Sequence, residues 1–119
     1  MQPELHVVAD TWIDCAVETV SVVVADPASW PKWWPRMDLT VIRDRGVKGI
    51  RWAVTGRYHG TAEIWLEPFG GGVILHHFLR LDPSGPLSRR ATARLARELA
   101  WHARLMFWEL KDELERPAR

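Results

Sequence analysis

The spacing of apolar residues predicts one long helix near the end of the chain, from Ser88 to Arg116. At 3.6 residues per turn, one face of this helix is entirely apolar and carries Leu95, Leu99, Ala103, Met106, Leu110 and Leu114. Ser88 is a suitable N-cap, and Pro117 follows the last helical residue. A helix of this length, about 40 Å at 1.5 Å per residue, needs a broad apolar surface to cover its face. We expect the preceding strands to supply that surface.

Alternating apolar and polar residues predict one strand at the start of the chain and four antiparallel strands in its middle. The first strand is Leu5–Ile13, and the other four lie between Asp38 and Leu81 and are separated by glycine-containing turns. Two short helices are expected between the first and second strands, the second of them capped by Asp26 with Pro27 at its first position. This order predicts an α+β domain with a curved antiparallel sheet of about five to six strands.

Composition limits the classes to which the protein can belong. The chain has 119 residues, 47% hydrophobic and 26% charged, which favours a single globular domain over residues 1–119. Its net charge of +1 gives no general attraction to nucleic acid or membranes. Cys15 is the only cysteine, and no metal-ligand spacing or phosphate-binding loop occurs, so we expect no metal and no cofactor. Without a leader pattern or a membrane-length apolar run, the expected location is cytoplasmic, with no stable membrane insertion.

Two sequence segments and the terminal helix resemble a known superfamily. The segment ADPASWPKWWP at Ala25–Pro35 resembles the helix-pair corner of START-like helix-grip domains, the superfamily that includes polyketide cyclases/dehydrases and lipid-transport proteins. The segment LEPFGGG at Leu66–Gly72 is similar to the late hairpin of those domains. Members usually carry one more strand pair than this chain has room for. The resemblance implies an apolar cavity between the sheet and the terminal helix, smaller or more open than usual, that holds a hydrophobic small molecule.

Eight tryptophans are more than a core of this size needs, and several of them are candidates for lining such a cavity. Flat aromatic rings bury a large area and offer one polar tip, which suits polycyclic or acyl ligands. For any single ring, a place in the core is the more frequent role. The candidate ligand-binding residues are Trp33, Trp52, Tyr58, His77, Leu79, His102 and Met106.

His77 is the most informative single candidate because strand alternation points it inward, between Leu75 and Leu79. An inward imidazole can orient a ligand oxygen or transfer a proton, although a hydrogen-bonded core histidine is the more common case. His102, at the edge of the helix's apolar face, is expected to approach it across the cavity. His76 points to the opposite face of the sheet.

Three functions therefore remain open. The first is binding of a polyketide-, lipid- or aromatic-like ligand. The second is a cyclase or dehydratase in which His77 or Tyr58 moves a proton. The third is an interaction protein that docks a partner, or a second copy, through Trp101, Leu105 and Trp108 on the terminal helix.

The charges of the terminal helix are segregated in an unfavourable sense. Its first turns carry arginines and its last turns carry carboxylates, and both placements oppose the helix dipole by about 0.3–1 kcal/mol per charge. We expect these side chains to lie in solvent or to attract an anionic group or a partner. Nucleic-acid binding is not expected, because a broad basic stripe is missing.

Overall fold

A computed structural model describes residues 5–116 and has the predicted α+β architecture. Its elements in chain order are β1 (Leu5–Ile13), α1 (Val17–Ala25), a short 3₁₀ turn (Pro27–Ser29), α2 (Trp30–Trp33), β2 (Met37–Asp44), a second 3₁₀ turn (Gly46–Lys48), β3 (Gly49–Gly56), β4 (Tyr58–Phe69), β5 (Gly72–Pro83) and α3 (Arg89–Glu115).

The five strands form one antiparallel sheet in the order β1-β5-β4-β3-β2. The concave face of the sheet is apolar, and α1, α2 and α3 lie over it. β1 forms one edge of the sheet and β2 forms the other. After α1 and α2 the chain enters the sheet at β2 and continues through neighbouring strands to β5, which pairs with β1. This arrangement is the helix-grip fold that the resemblance implied, and its five strands agree with the predicted five to six.

Side-chain caps lie at two of the helix starts that the sequence predicted, the 3₁₀ turn that leads into α2 and the start of α3. Asp26 Oδ1 accepts a hydrogen bond of 3.0 Å from the Ala28 backbone N–H at the α1–α2 corner. Ser88 Oγ accepts one of 3.1 Å from the Ala91 N–H at the start of α3. These caps replace hydrogen-bond partners that the first turn of a helix lacks. Pro117, expected to follow the helix, lies outside the described residues.

α3 is attached to the rest of the fold along its length. Near its end, Lys111 Nζ donates to the Trp12 carbonyl at 2.7 Å, and the Asp14 backbone N–H donates to Glu115 Oε2 at 2.8 Å. Its buried side chains are Thr92, Ala103, Phe107 and Leu110. The final helix therefore closes over the sheet instead of projecting away from it. Among residues 5–116, no helix is both long and apolar enough to cross a membrane.

Candidate functional site

Aromatic side chains fill the space between the sheet and α3. Trp34 at the end of α2 lies 4.7 Å from Trp52 of β3 and 5.8 Å from His77 of β5, measured between ring centroids. Phe107 of α3 completes the cluster, 5.1 Å from His77 and 5.3 Å from Trp33. Each of these rings is buried. The corner sequence therefore supplies core packing at the position where the resemblance implied a ligand.

A hydrogen bond holds His77 in one tautomer. Trp34 Nε1–H donates to His77 Nε2 at 2.9 Å, so Nε2 must be unprotonated and the ring proton lies on Nδ1. Burial lowers the pKa of His77 to about 4, because the charged ring would lose its hydration without gaining a counter-ion. At neutral pH, His77 is therefore an uncharged acceptor for Trp34.

Two buried nitrogens in this cluster have no hydrogen-bond partner among the described residues. They are His77 Nδ1 and Trp52 Nε1. An unmade hydrogen bond at a buried donor costs about 1–3 kcal/mol. The aromatic packing of the cluster must offset that cost.

An apolar cavity of about 310 Å³ lies beyond the aromatic cluster, at the end of the sheet where β4 begins. We call it the Tyr58 cavity. Its walls are the start of β4, the end of β5 with the following loop, and the second turn of α3. The lining residues are Arg57, Tyr58, Pro83, Ser84, Gly85, Pro86, Leu87 and Leu95.

The loop that forms one wall of the Tyr58 cavity is held by hydrogen bonds to the neighbouring β3–β4 turn. Ser84 Oγ donates to the Gly56 carbonyl at 2.6 Å, and the Ser84 N–H donates to the Arg57 carbonyl at 3.0 Å. Pro83 and Pro86 restrict the backbone further, because their rings fix φ. The cavity wall is therefore preformed, as ligand sites usually are.

A wider and more open groove of about 470 Å³ lies between α2 and the edge strand β2. Trp30, Met37 and Leu39 contribute its apolar surface, and Arg36 and Asp38 its charges. Met37 pairs with Gly56, whose carbonyl anchors Ser84. The groove and the Tyr58 cavity thus open at the same end of the sheet.

The structure separates the residues that the sequence grouped as one ligand site. Tyr58 lines the Tyr58 cavity, whereas Trp52, His77 and Leu79 lie in the core. Trp33 and Met106 border a separate cleft of only about 50 Å³ between α2 and α3. Sequence periodicity identified which faces point inward, but not which inward residues are covered by other side chains.

The expected meeting of His77 and His102 does not occur. His102 Nε2 lies 2.7 Å from the Lys32 carbonyl and so joins α3 to α2, while His77 is enclosed by Trp34 and Phe107. Aromatic rings, not a second histidine, are therefore the neighbours of His77 in this cluster.

Sequence reasoning did not identify the loop Ser84–Leu87, which forms one wall of the Tyr58 cavity. The available signal was an isolated leucine, Leu87, within a loop that is otherwise rich in proline, glycine and serine. Leu87 is partly exposed and borders the Tyr58 cavity.

The convex face of the sheet carries a separate polar cluster. His76 Nδ1 lies 2.8 Å from Asp10 Oδ1, and His76 Nε2 lies 2.9 Å from Glu67 Oε1. Burial would lower the pKa of His76, but the hydrogen bonds and charges of Glu67 and Asp10 outweigh it and raise the pKa. Within residues 5–116, no group of three or more His, Cys, Asp or Glu side chains could hold a metal ion.

Comparison with solved structures identifies the fold. No family model matches the chain, and no curated protein matches it. A START superfamily protein from Mycobacterium smegmatis superposes with a TM-score of 0.72 at 14% identity, over 92% of this chain and 98% of that one. A polyketide-cyclase-like protein from Corynebacterium glutamicum gives 0.58 at 14% identity, over 97% and 96%. The Aha1 dimer from Colwellia psychrerythraea gives 0.67 at 13% identity, over 93% and 96%. The START-like helix-grip fold is therefore confirmed.

Proposed function

We propose that this START-like domain binds a small hydrophobic molecule in the Tyr58 cavity. The supporting observation is a preformed apolar cavity of about 310 Å³, within the range of small-molecule sites, at the end of the sheet beside the loop that follows β5 and the second turn of α3. The similarity to the polyketide-cyclase-like protein from Corynebacterium glutamicum supports a polyketide-like ligand, and lipid- and aromatic-like ligands remain candidates from the resemblance of the sequence. We also propose a cytoplasmic location for the protein, as expected from the sequence.

The lining of the Tyr58 cavity favours a largely apolar ligand with one or two oxygen atoms. Pro83, Leu87 and Leu95 offer apolar contact area. The Ser84 hydroxyl proton is already donated to the Gly56 carbonyl, so Arg57 and Tyr58 are the side chains that can donate to a ligand oxygen. Burial of the apolar part would supply most of the affinity, and these donors would set the orientation.

Filling the cavity tests this proposal. We expect wild-type protein to bind flavone, anthracene or decanoate, and we expect Leu95→Trp to weaken that binding at least about tenfold, because the indole occupies the space. Titration followed by tryptophan fluorescence and melting temperature measures both effects. The matched control is Val22→Trp, which adds a tryptophan at an exposed position on α1. No binding of any probe by wild-type protein, or equal binding by Leu95→Trp, would contradict the proposal.

Removing the Tyr58 hydroxyl tests the orientation of the ligand. We expect Tyr58→Phe to weaken flavone binding about threefold to tenfold, since one hydrogen bond to the flavone carbonyl is worth about 0.5–1.5 kcal/mol. Anthracene has no oxygen, so its affinity should stay the same and serves as the control. Equal changes for the two compounds would show that the hydroxyl does not contact the ligand.

An enzymatic role for the same site is the second candidate, and it depends on Tyr58. Of the two residues considered for proton transfer, Tyr58 lines the cavity, whereas His77 has 0% of its surface exposed. A cyclase or dehydratase acting here would fold its substrate against the apolar wall and would use the phenol as the proton carrier. Product formation by wild-type protein that Tyr58→Phe abolishes without loss of binding would support it.

A further inference from the structure

The face of α3 that points away from the sheet carries an unusual row of exposed side chains. It lies opposite the buried residues Ala103 and Leu110, one half-turn away around the helix. The row, which we call the outer stripe, consists of Arg90, Arg94, Arg97, Trp101, Leu105, Trp108 and Asp112, all of them exposed. Their spacing of three and four residues places them along one line.

The centre of the outer stripe is apolar and uncovered. Trp101 and Trp108 are 56% and 48% exposed, and their rings meet edge to face at 6.5 Å. Leu105 lies beside them and is also exposed. A cluster of large apolar side chains on the surface of a small domain indicates a contact with another molecule. The nature of that molecule has to follow from the charges on either side.

Charges of opposite sign flank the apolar centre. Arg90 and Arg94 precede it, and Asp112 and Glu115 follow it. Neither Arg94 nor Asp112 forms an ion pair with another described residue. Because these placements oppose the helix dipole, they do not serve the stability of α3 itself.

We propose that the outer stripe pairs with the same stripe of a second copy, with the two α3 helices antiparallel. A two-fold axis at the level of Ala103 brings Arg94 opposite the partner's Asp112 and Trp101 opposite the partner's Leu105. It also places Trp108 beside the partner's Arg97. In this alignment each arginine–aspartate contact and each apolar contact occurs twice, once from each helix, as a two-fold interface requires. The dipoles of the two helices are opposed as well, which is the favourable arrangement.

The alignment accounts for the sequence order of the charges. A parallel pair would set arginines against arginines and carboxylates against carboxylates. In the antiparallel pair the contact runs from Arg94 to Asp112, about 27 Å along each helix. The two Arg104 side chains lie near the axis, but each is at the flank of the stripe, where its guanidinium stacks 5.9 Å from its own Trp108 ring.

A charge-reversal cycle tests the alignment. Sedimentation equilibrium at micromolar concentrations should show a dimer for the wild-type chain. Each of the single variants Arg94→Glu and Asp112→Arg should raise the dissociation constant at least about tenfold, because symmetry counts every substitution twice. The double variant Arg94→Glu with Asp112→Arg should restore the dimer, since the attraction returns with its sign reversed. Trp65→Ala, an exposed tryptophan on the convex face of the sheet, is the control and should leave the dimer intact.

Each other outcome overturns the proposal. A wild-type monomer at all concentrations would do so, and co-sedimentation of that monomer with vesicles of anionic lipid would assign the stripe to a membrane surface instead. Unchanged dimers in both single variants would place the interface elsewhere. Single variants that dissociate but are not restored by the double variant would exclude this antiparallel alignment. At monomeric concentrations the charge variants should melt at or slightly above the wild-type temperature, because each substitution replaces a charge that opposes the helix dipole.

Discussion

Replacing Phe107 with alanine is expected to lower the free energy of unfolding by about 3–5 kcal/mol, the usual cost of truncating a fully buried aromatic ring. Phe107 has 0% of its surface exposed and contacts Trp33 and His77, so its loss leaves a cavity where α3 meets both α2 and the sheet. Chemical denaturation with urea measures the change.

Phe69 provides the matched control for this substitution. It is the same residue type, lies at the end of β4 and is 62% exposed. Its backbone carbonyl accepts the Trp12 indole N–H at 2.9 Å, a bond that alanine preserves. We expect Phe69→Ala to change the free energy of unfolding by no more than about 0.5 kcal/mol. A loss below about 1 kcal/mol for Phe107→Ala would show that α3 does not close over the sheet, since a buried ring costs more.

Acidification is expected to destabilise the fold through His77. In the unfolded chain a histidine binds its proton at about pH 6.5, whereas the pKa of folded His77 is lowered to about 4 by burial. Between these two values the unfolded state binds more protons, so stability decreases as the pH is lowered. Above pH 6.5, where His77 is neutral in both states, its titration does not reduce the free energy of unfolding. Between pH 6.5 and about pH 4, proton binding by His77 in the unfolded chain lowers the free energy of unfolding by about 3 kcal/mol.

The variant His77→Phe isolates this effect. It leaves Trp34 Nε1–H without an acceptor but also removes the unpaired Nδ1–H, and because each buried donor costs about 1–3 kcal/mol, the two effects largely offset each other in the free energy of unfolding at neutral pH. However, its stability should decrease less on acidification, because the titrating group is gone. Urea denaturation of wild type and His77→Phe over this pH range gives, for each protein, the slope of the free energy of unfolding against pH. Equal slopes would show that His77 is not buried as a neutral ring.

His76 on the opposite face provides a control of opposite sign. Its pKa is raised by Glu67 and Asp10, so it binds its proton more readily in the folded chain. Protonated His76 therefore adds to the free energy of unfolding at a pH below its pKa in the unfolded chain. This stabilisation is lost as the pH rises through the pKa of His76 in the folded chain. We therefore expect His76→Phe to lose more stability than wild type on acidification. Neighbouring histidines on one strand thus produce opposite pH effects.

Local patterns in the sequence were sufficient to predict the elements and the faces they present. The alternation around His77 predicted that it points inward and that His76 points outward, because consecutive strand residues alternate between the two sides of the sheet. The caps Asp26 and Ser88 were predicted because each satisfies backbone groups within its own turn. The START-like fold was implied by the resemblance of the element order and of the Ala25–Pro35 segment to helix-grip domains.

Only the tertiary structure decided what the inward side chains do. Trp34, Trp52 and His77 are distant in sequence, and whether three inward rings line a cavity or fill it depends on distances that no local pattern encodes. Here they fill it, and the apolar space lies instead at Tyr58, against a loop that local patterns treat as a connection. The sequence determined which residues face the interior, since that depends on backbone periodicity. The location of the remaining space depended on packing, which the structure alone revealed.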